Sequence, residues 1–426
     1  MRKTMQEQLV PEVKELAPGV FSMTGLYNHD HDEGVNAGFI ITSGSIIFID
    51  AGMSSYSAKA LWREAQSRVH GEKEIYLVLT HHHPDHSFGM GYFVQHGAHV
   101  IAHRETSKLF HHEGDKYRDF IIERYFHDPL KAAEVLGEVR LTPPRTSIAQ
   151  DEVMIVDEEE IHLLHVPGHV MGQLCVYHPE SRVLFGSDAI YSGRPPDTQY
   201  SRPGGWKMWI GQLQRLKDLP LDTIVPGHGP LGDAEIITDN IIYLRLALGR
   251  QNRQLYHVLK HKKYGKVLEL SLHNDRSALF LARQGFVVTG LDTDKETGER
   301  WVEEARRENL RVHFQNIDAY EYTFDDRFDI IIATNIFHRH TPDENEELLQ
   351  RMHSYTQPRG IHILTAFTSE TPTSGATGLF APGQLRELYA NWQILHYEEG
   401  YTHIHTDDDD PEPHRHSVAV LVAQQN

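Results

Sequence analysis

A short apolar run ending at Leu79 leads directly into Thr-His-His-His-Pro-Asp-His, and this junction constrains the chain more than any other part of it. The run has the length and branching of a buried strand. His81 and His83 lie two residues apart on an extended segment and project to the same side, while Asp85 and His86 follow where the chain turns. Four hard or borderline ligands so close together suit zinc. The pattern predicts a metal cluster at a strand end, and the alternative is a histidine-rich surface turn.

Three further chelating residues each follow an apolar run later in the chain. They are His169 after Val-Pro-Gly, Asp188 after Phe-Gly-Ser, and His228 after Val-Pro-Gly. One histidine after Pro-Gly would be an ordinary turn residue. Three polar residues after three such runs favour a shared site, which together with the first cluster has seven ligands.

The His-x-His-x-Asp-His pattern with its spaced His, Asp and His resembles the metallo-β-lactamase superfamily of hydrolases over about residues 10–245. The resemblance implies an αββα sandwich holding two zinc ions or other divalent transition metals. Asp188 would bridge the ions, and Asp50 would orient the histidine loop without binding metal. Oxygen-reducing di-iron members carry glutamate where His83 stands, which favours zinc and hydrolysis. The implied ligands are His81, His83 and His169 for one ion and Asp85, His86 and His228 for the other.

This resemblance implies hydrolysis by a metal-bound hydroxide that attacks an electrophilic carbonyl. We expect an ester, thioester or lactone of a small molecule as the substrate. Asp85 would pass a proton to the leaving group. Tyr191, three residues after Asp188, is placed as in acyl-homoserine-lactone lactonases of the superfamily and would donate to the substrate carbonyl. The alternative for Tyr191 is packing on the following loop.

Composition narrows the class of partner. The chain has 426 residues and a net charge of −19, from 41 basic and 60 acidic residues. This balance and the lack of a basic block weigh against nucleic-acid binding, and so against a nuclease. Cys175 is the single cysteine, so no intramolecular disulfide forms. No signal peptide or membrane-length apolar run is visible, and we expect a cytoplasmic protein without membrane contact that can form a homo-oligomer.

Apolar residues recur at helical spacing between about Arg104 and Gly137. We expect one or two helices here. In superfamily hydrolases, insertions at this point often cover the metal cleft, so these aromatic residues would wall an apolar substrate pocket. The alternative is a packing or dimer surface.

The C-terminal half alternates strand and helix patterns from Lys266 to residue 318, which predicts a parallel doubly wound sheet. From about Gly265 to the end it resembles class I S-adenosylmethionine-dependent methyltransferases of the tellurite-resistance type, which implies a Rossmann-like fold. If the cofactor binds, the resemblance places Glu269, Asp292 and Asp318 around it.

One departure from that family bears on the cofactor. Ser271, His273 and Asp275 stand where methyltransferases need a glycine-rich turn after the first strand. Glycine there permits close backbone contact with the cofactor. We therefore expect weak or absent S-adenosylmethionine binding and a domain that supports the hydrolase.

The helix-like stretch from Asp233 to about His261 predicts the domain boundary. We expect a metal-dependent hydrolase domain over residues 1–248 and a methyltransferase-like domain over residues 249–426. Two alternatives stay open: a bifunctional hydrolase and methyltransferase, and a non-catalytic metal- or ligand-binding sensor or scaffold. The acidic, proline-containing stretch from His403 to His416 predicts a solvated hairpin loop.

Overall fold

A computed structural model of the chain describes residues 11–28, 34–126, 128–248, 254–272, 277–334, 336–370, 377–401 and 415–426. The chain divides into two compact units, residues 1–248 and residues 249–426. The stretch 402–414, which holds most of the predicted acidic hairpin loop, lies outside the described residues.

The first sheet of the N-terminal unit has seven strands that neighbour one another in chain order. The first four pair antiparallel, and the remaining pairs are parallel. The central strands are buried on both faces, which explains their nearly continuous apolar sequence. The strands are β1 (Glu12–Ala17), β2 (Val20–Leu26), β3 (Val35–Ile41), β4 (Ser45–Ile49), β5 (Glu74–Leu79), β6 (His99–His103) and β7 (Thr146–Ile148).

The second sheet has five strands in the order β12-β11-β10-β9-β8. Its pairs are antiparallel except β11 with β12, which is parallel. Cys175 is buried in β10, as its apolar surroundings predict. The strands are β8 (Glu152–Val156), β9 (Glu159–His165), β10 (Leu174–His178), β11 (Val183–Tyr191) and β12 (Thr223–His228).

Helices cover the outer faces of the two sheets, so the N-terminal unit is the expected αββα sandwich. One buried cluster joins the facing sides of the sheets, for example Ile47 and Val78 with Leu163 and Val176. Two further clusters lie between each sheet and its helices. The helices are α1 (Ser55–Gln66), α2 (Pro84–Ser87), α3 (Met90–Gln95), α4 (Arg104–His112), α5 (Gly114–Tyr125), α6 (Pro129–Leu136), α7 (Pro203–Lys217) and α8 (Ala234–Leu248).

The segment from Arg104 to Gly137 forms three helices, α4 to α6, where the sequence predicted one or two. The apolar spacing runs on across the breaks, so periodicity alone does not mark the helix ends. The first break falls at Gly114, whose φ of 37° does not continue a right-handed helix. The second precedes Pro129, a residue that suits the first turn of a helix.

The C-terminal unit contains one seven-stranded sheet in the order β15-β14-β13-β16-β17-β19-β18. Its first five strands are parallel, as predicted, with helices on every connection except that from β15 to β16, and the last two strands add an antiparallel edge. The strands are β13 (Lys266–Glu269), β14 (Val287–Asp292), β15 (Val312–Asn316), β16 (Phe328–Thr334), β17 (Thr356–Phe367), β18 (Gln393–Tyr401) and β19 (Ser417–Gln424). The helices are α9 (Leu255–His261), α10 (Ser277–Arg283), α11 (Lys295–Arg307), α12 (Pro342–Ser354) and α13 (Gln384–Leu388), with a 3-10 turn at Phe337–Arg339.

Among the described residues, every helix is too short or too polar to cross a membrane.

Candidate metal centre

The structure brings all seven predicted ligands together between strand ends of both sheets. Four of them follow β5 in the first sheet, and the other three come from the second sheet, after β9, within β11 and at the end of β12. They form two groups, and within each group one potential ligand atom per residue lies within 4.8 Å of the others. The first group is His81, His83, His169 and Asp188, and the second is Asp85, His86 and His228.

The carboxylate of Asp188 lies between the two groups. Its Oδ2 is 3.5 Å from Nε2 of His169 and 4.0 Å from Nε2 of His81. Its Oδ1 is 3.0 Å from Nε2 of His86 and 3.5 Å from Nε2 of His228. One carboxylate oxygen therefore faces each group, which is the arrangement a bridging ligand requires.

The remaining ligand atoms also converge. In the first group, Nδ1 of His83 is 3.1 Å from Nε2 of His169. In the second group, Oδ2 of Asp85 is 3.2 Å from Nε2 of His228 and 3.6 Å from Nε2 of His86. Asn28, which sequence analysis missed, donates its side-chain amide to the same Asp85 oxygen at 2.7 Å. No pattern around Asn28 could have revealed it, because the contact joins positions far apart in the chain.

The outer ring nitrogens of the imidazoles contact the protein. Nδ1 of His228 lies 2.9 Å from the carbonyl oxygen of Gly34, and Nδ1 of His169 lies 3.3 Å from that of Asp197. Nδ1 of His86 lies 2.8 Å from Oδ2 of Asp50. Contacts of this kind fix the ring orientation and the tautomer, so that Nε2 presents a lone pair to the centre.

Asp50 organises the loop that carries four of the ligands. It follows β4 with a φ of 64°, a conformation that aspartate tolerates better than most residues. Its carboxylate accepts hydrogen bonds from the backbone N–H and the hydroxyl of Thr80, both at 2.8 Å, and from the hydroxyl of Ser187 at 3.3 Å. Asp50 thus joins β4, the histidine loop and β11 without entering either ligand group.

Three buried polar atoms at the centre have no hydrogen-bond partner within the described ranges. They are Nε2 of His81, Nε2 of His86 and Oδ1 of Asp188; the last two atoms lie 3.0 Å apart but not in hydrogen-bonding geometry. Buried polar atoms are almost always satisfied, because leaving one unpaired costs about 1–3 kcal/mol. All three point to the place where a cation would be held, so the residues fit a metal.

Electrostatics favour positive charge in the second group. Burial lowers the pKa of His228, but Asp188 and Asp85 together raise it to about 10. Burial likewise opposes charge on His86, while the same two carboxylates and Asp50 raise its pKa well above the usual range. In the first group, burial and neighbouring imidazoles hold the pKa of His81 well below its usual value, so this ring is a neutral ligand.

Gly227 shows why the Pro-Gly-His sequence is needed before His228. A Cβ atom at position 227 would lie 1.9 Å from Oδ1 of Asp188 and 2.8 Å from its backbone nitrogen. Only glycine leaves room for the bridging carboxylate against β12.

A cavity of about 430 Å³ opens onto the two groups. Tyr191, predicted to assist catalysis, lines it, and its hydroxyl donates to Oδ2 of Asp188 at 2.7 Å. Burial and then Asp188 raise the pKa of Tyr191 well above its usual value, so it remains a donor. Tyr200, which sequence analysis missed, also lines the cavity, with its ring 4.2 Å from that of His83.

The helical insertion supplies both a wall and a packing surface. Tyr117, Phe120, Ile121 and Tyr125 of α5 line the cavity. The other aromatic residues of the insertion, Phe110 and Phe126, are buried in the core beneath the first sheet. One part of this segment is therefore a pocket wall and another part is a packing surface.

The C-terminal unit has a separate cavity of about 440 Å³ at the carboxyl ends of its parallel strands. Asp292 and Asp318 line it, whereas Glu269 is fully buried and does not. The Asp292 carboxylate accepts the backbone N–H of Leu272 at 3.0 Å and that of Asp294 at 2.8 Å. Two of the three residues at the glycine positions, His273 and Asp275, lie outside the described residues.

Sequence comparison matches each half of the chain to a different family. The metallo-β-lactamase superfamily matches residues 32–228, and the tellurite resistance protein TehB matches residues 240–421. An acyl-coenzyme A thioesterase MBLAC2 from Gallus gallus is 26% identical over 234 residues, which are 52% of this chain and 82% of the relative. A probable S-adenosyl-L-methionine-dependent methyltransferase TehB from Haemophilus influenzae is 24% identical over 163 residues, 38% of this chain and 57% of that protein.

Two solved structures align with parts of the chain at low similarity. A metallo-β-lactamase from Pontibacter korlensis aligns with a TM-score of 0.44 and 20% identity, covering 57% of this chain and 100% of its own. TehB from Haemophilus influenzae aligns with a TM-score of 0.39 and 20% identity, covering 43% of this chain and 66% of its own.

Proposed function

We propose that this chain, a metal-dependent hydrolase whose residues 32–228 carry the metallo-β-lactamase superfamily sequence, cleaves a carbonyl ester bond with two zinc ions. Among carbonyl substrates, we favour thioesters over oxygen esters and lactones. The relative from Gallus gallus is an acyl-coenzyme A thioesterase, and it aligns over most of its own length.

The observation that carries the proposal is the position of Asp188 between two complete ligand groups. Imidazole and carboxylate ligands in these numbers suit zinc, although the superfamily match alone requires only divalent metal. His81, His83 and His169 would hold one ion, and Asp85, His86 and His228 the other. Two bound ions would lower the pKa of a shared water and polarise a carbonyl oxygen.

The chain's own residues would then position the substrate and handle the proton. Both Asp85 and Asp188 line the cavity, and the side chain of Asp85 is 14% exposed, against 4% for that of Asp188. Asp85 is therefore the carboxylate placed to pass a proton towards the leaving group. The Tyr191 hydroxyl, which donates to Asp188, could turn from that carboxylate to a substrate oxygen.

Hydrolysis of a small panel by metal-loaded full-length protein tests this proposal. The panel contains a thioester, an aryl ester, a lactone, a cephalosporin and a phosphodiester. We expect turnover of the thioester above the others, and its loss in His83→Ala with an unchanged circular dichroism spectrum. Undiminished turnover in His83→Ala would contradict the mechanism. If none of the panel is hydrolysed although two zinc ions are bound, the non-catalytic sensor would be favoured.

For the C-terminal unit we propose weak or absent S-adenosylmethionine binding. The cavity has the volume for such a ligand, and Asp292 and Asp318 would face its ribose and adenine. The substituted glycine turn argues against close approach of the cofactor. Titration calorimetry of the full chain with S-adenosylmethionine tests this, with the TehB protein of Haemophilus influenzae as the positive control. Tight binding would overturn the proposal and favour the bifunctional alternative.

A further inference from the structure

We propose that the substrate carries an anionic group that pairs with Arg124, separated from the scissile bond by an apolar segment that lies along α5. This inference rests on the proposed hydrolase function, since it takes the metal centre as the place where the bond is cut. It assigns Arg124 as the residue that determines substrate specificity.

One face of α5 forms the wall. Tyr117, Phe120, Ile121 and Arg124 are spaced three, four and seven residues apart, so they lie on the same side of the helix. All four line the cavity above the metal ligands. Ile121 is only 5% exposed, whereas Phe120 is 51% exposed. The wall therefore runs from a buried apolar floor to an open rim.

The two ends of this face differ in their distance from the metal ligands. The ring of Tyr117 lies 5.9 Å from that of His82, and burial followed by the charge of Asp85 raises the pKa of Tyr117. Tyr117 thus lies at the inner end. Arg124 follows seven residues later, which places it about 10 Å further along the helix axis.

Arg124 has no polar partner in the part of the chain that the structure describes. Its guanidinium lies 5.4 Å from the ring centre of Tyr125 and 6.0 Å from that of Phe120. These ring contacts hold the cation at the rim but leave its N–H groups available. Arg118 on the same helix is different, because it is paired with Asp115 and Asp119.

The other charged residue of the lining outside the ligand groups is already engaged. The Asp197 carboxylate accepts the backbone N–H of Gln199 at 2.9 Å and its side-chain amide at 2.7 Å. Arg124 is therefore the group that an incoming anion would meet. Arginine binds a carboxylate through two parallel hydrogen bonds, which gives direction as well as affinity. The cavity fits an acyl chain that ends in a carboxylate.

Thioesters of dicarboxylic acids of increasing length test this inference. Succinate, adipate, suberate and sebacate, each joined through one carboxyl group to the same aromatic thiol, are compared with the matching monocarboxylic thioesters. For the zinc-loaded full chain, we expect kcat/KM to peak with a dicarboxylic substrate of intermediate length. Arg124→Gln should lower kcat/KM for that substrate by about ten- to a hundredfold, mainly through KM. It should change the monocarboxylic partner by less than about twofold.

Two variants serve as controls. Lys116→Gln removes the same charge from an exposed position on α5 that does not line the cavity, and it should leave both substrates unaffected. Arg124→Lys should retain part of the preference. Equal losses for charged and uncharged substrates in Arg124→Gln, or no loss for either, would overturn the inference.

A binding measurement separates this inference from the proposed function. The monoamide of suberate is not hydrolysed readily, and its binding to wild type and Arg124→Gln is measured by calorimetry. If wild type hydrolyses none of the thioesters, the hydrolase proposal fails, while weaker binding in Arg124→Gln still supports the anion site. Equal binding to both proteins would overturn it.

Discussion

The hydrogen bonding of buried histidine side chains differs between the two units. At the metal centre, Nε2 of His81 has no hydrogen-bond partner among the described residues. In the C-terminal unit, His362 is equally buried, but both of its nitrogens are engaged, with the hydroxyls of Thr356 and Tyr389 at 2.7 Å each. A buried imidazole with one free nitrogen indicates a ligand site, whereas one with two partners is part of the fold.

The acid-base behaviour of the two regions follows the same division. At the metal centre, the carboxylates around His86 and His228 favour positive charge there. Around His362, burial followed by the neighbouring His353 holds the pKa well below its usual value. One region is arranged to accept a cation, and the other excludes one.

The strongest test of this contrast is Asp188→Asn. Removal of the charge should abolish stable binding of two ions, because Asp188 faces both groups. Activity should fall by more than the ~10- to 100-fold that substitution of an outer hydrogen-bonding partner costs. Metal content by atomic emission and turnover of the preferred substrate would be measured together. Two firmly bound ions in this variant would refute the bridging assignment.

Asp50→Asn tests whether the contacts behind the ligands matter. Asparagine keeps the backbone conformation that Asp50 adopts but carries no charge. We expect one of the two ions to bind ~10- to 100-fold more weakly, since His86 loses its carboxylate partner. Competition with a chromophoric chelator would measure this affinity.

Asp157→Asn is the matched control for Asp50→Asn. Asp157 also has a positive φ and accepts hydrogen bonds from Thr42 and Gly44, away from the ligand groups. Its substitution should leave metal affinity unchanged. A comparable loss in both variants would mean that Asp50 acts through general stability.

Gly227→Ala tests the space beside the bridging carboxylate. The added methyl group should displace Asp188 and cost about 1–3 kcal/mol of unfolding free energy, with weaker metal binding. A methyl group added at Gly211 on α7 would meet no neighbouring atom within 4 Å, so Gly211→Ala should be neutral or stabilise by about 1 kcal/mol. Denaturant titration would compare the two. Unchanged metal content in Gly227→Ala would contradict the proposed crowding.

His362→Gln tests the buried histidine of the C-terminal unit through the pH dependence of stability. The folded protein holds the pKa of His362 below that of the unfolded chain, so the unfolded chain binds more protons in acid. The contribution of neutral His362 to the free energy of unfolding is therefore fully present above about pH 6.5. Below that pH, the free energy of unfolding falls by about 1.4 kcal/mol for each pH unit. Hydrogen exchange of β17 between pH 7 and pH 5 should show this loss in wild type and a smaller one in the variant. Identical pH dependence would refute it.

The sequence allowed a detailed prediction of the ligand set because the chemistry is local. Each ligand follows an apolar run that forms a strand, and strand ends of a sandwich meet at one place. The helices of the insertion were harder to predict, since their apolar spacing continues across Gly114. Asn28 and Tyr200 were not predicted at all, because their roles arise from contacts between segments that no pattern along the chain connects.

The antiparallel edge formed by β18 and β19 is harder to predict from the sequence than the parallel strands. The final strand shows an apolar run, but β18 is half exposed and mixed in sequence, so its pairing depends on the neighbouring strand. The role of the substituted glycine turn stays a prediction, as do the catalytic roles of Asp85 and Tyr191.

The position of the Asp188 carboxylate between the two ligand groups also matters for protein engineering. If Asp188 bridges two ions as proposed, a single substitution there alters both halves of the centre and does not yield a protein that holds one ion cleanly. A one-ion variant has to be made at a residue that serves only one group, such as His83 on one side. Redesign of the centre would therefore begin at its periphery and leave its middle untouched.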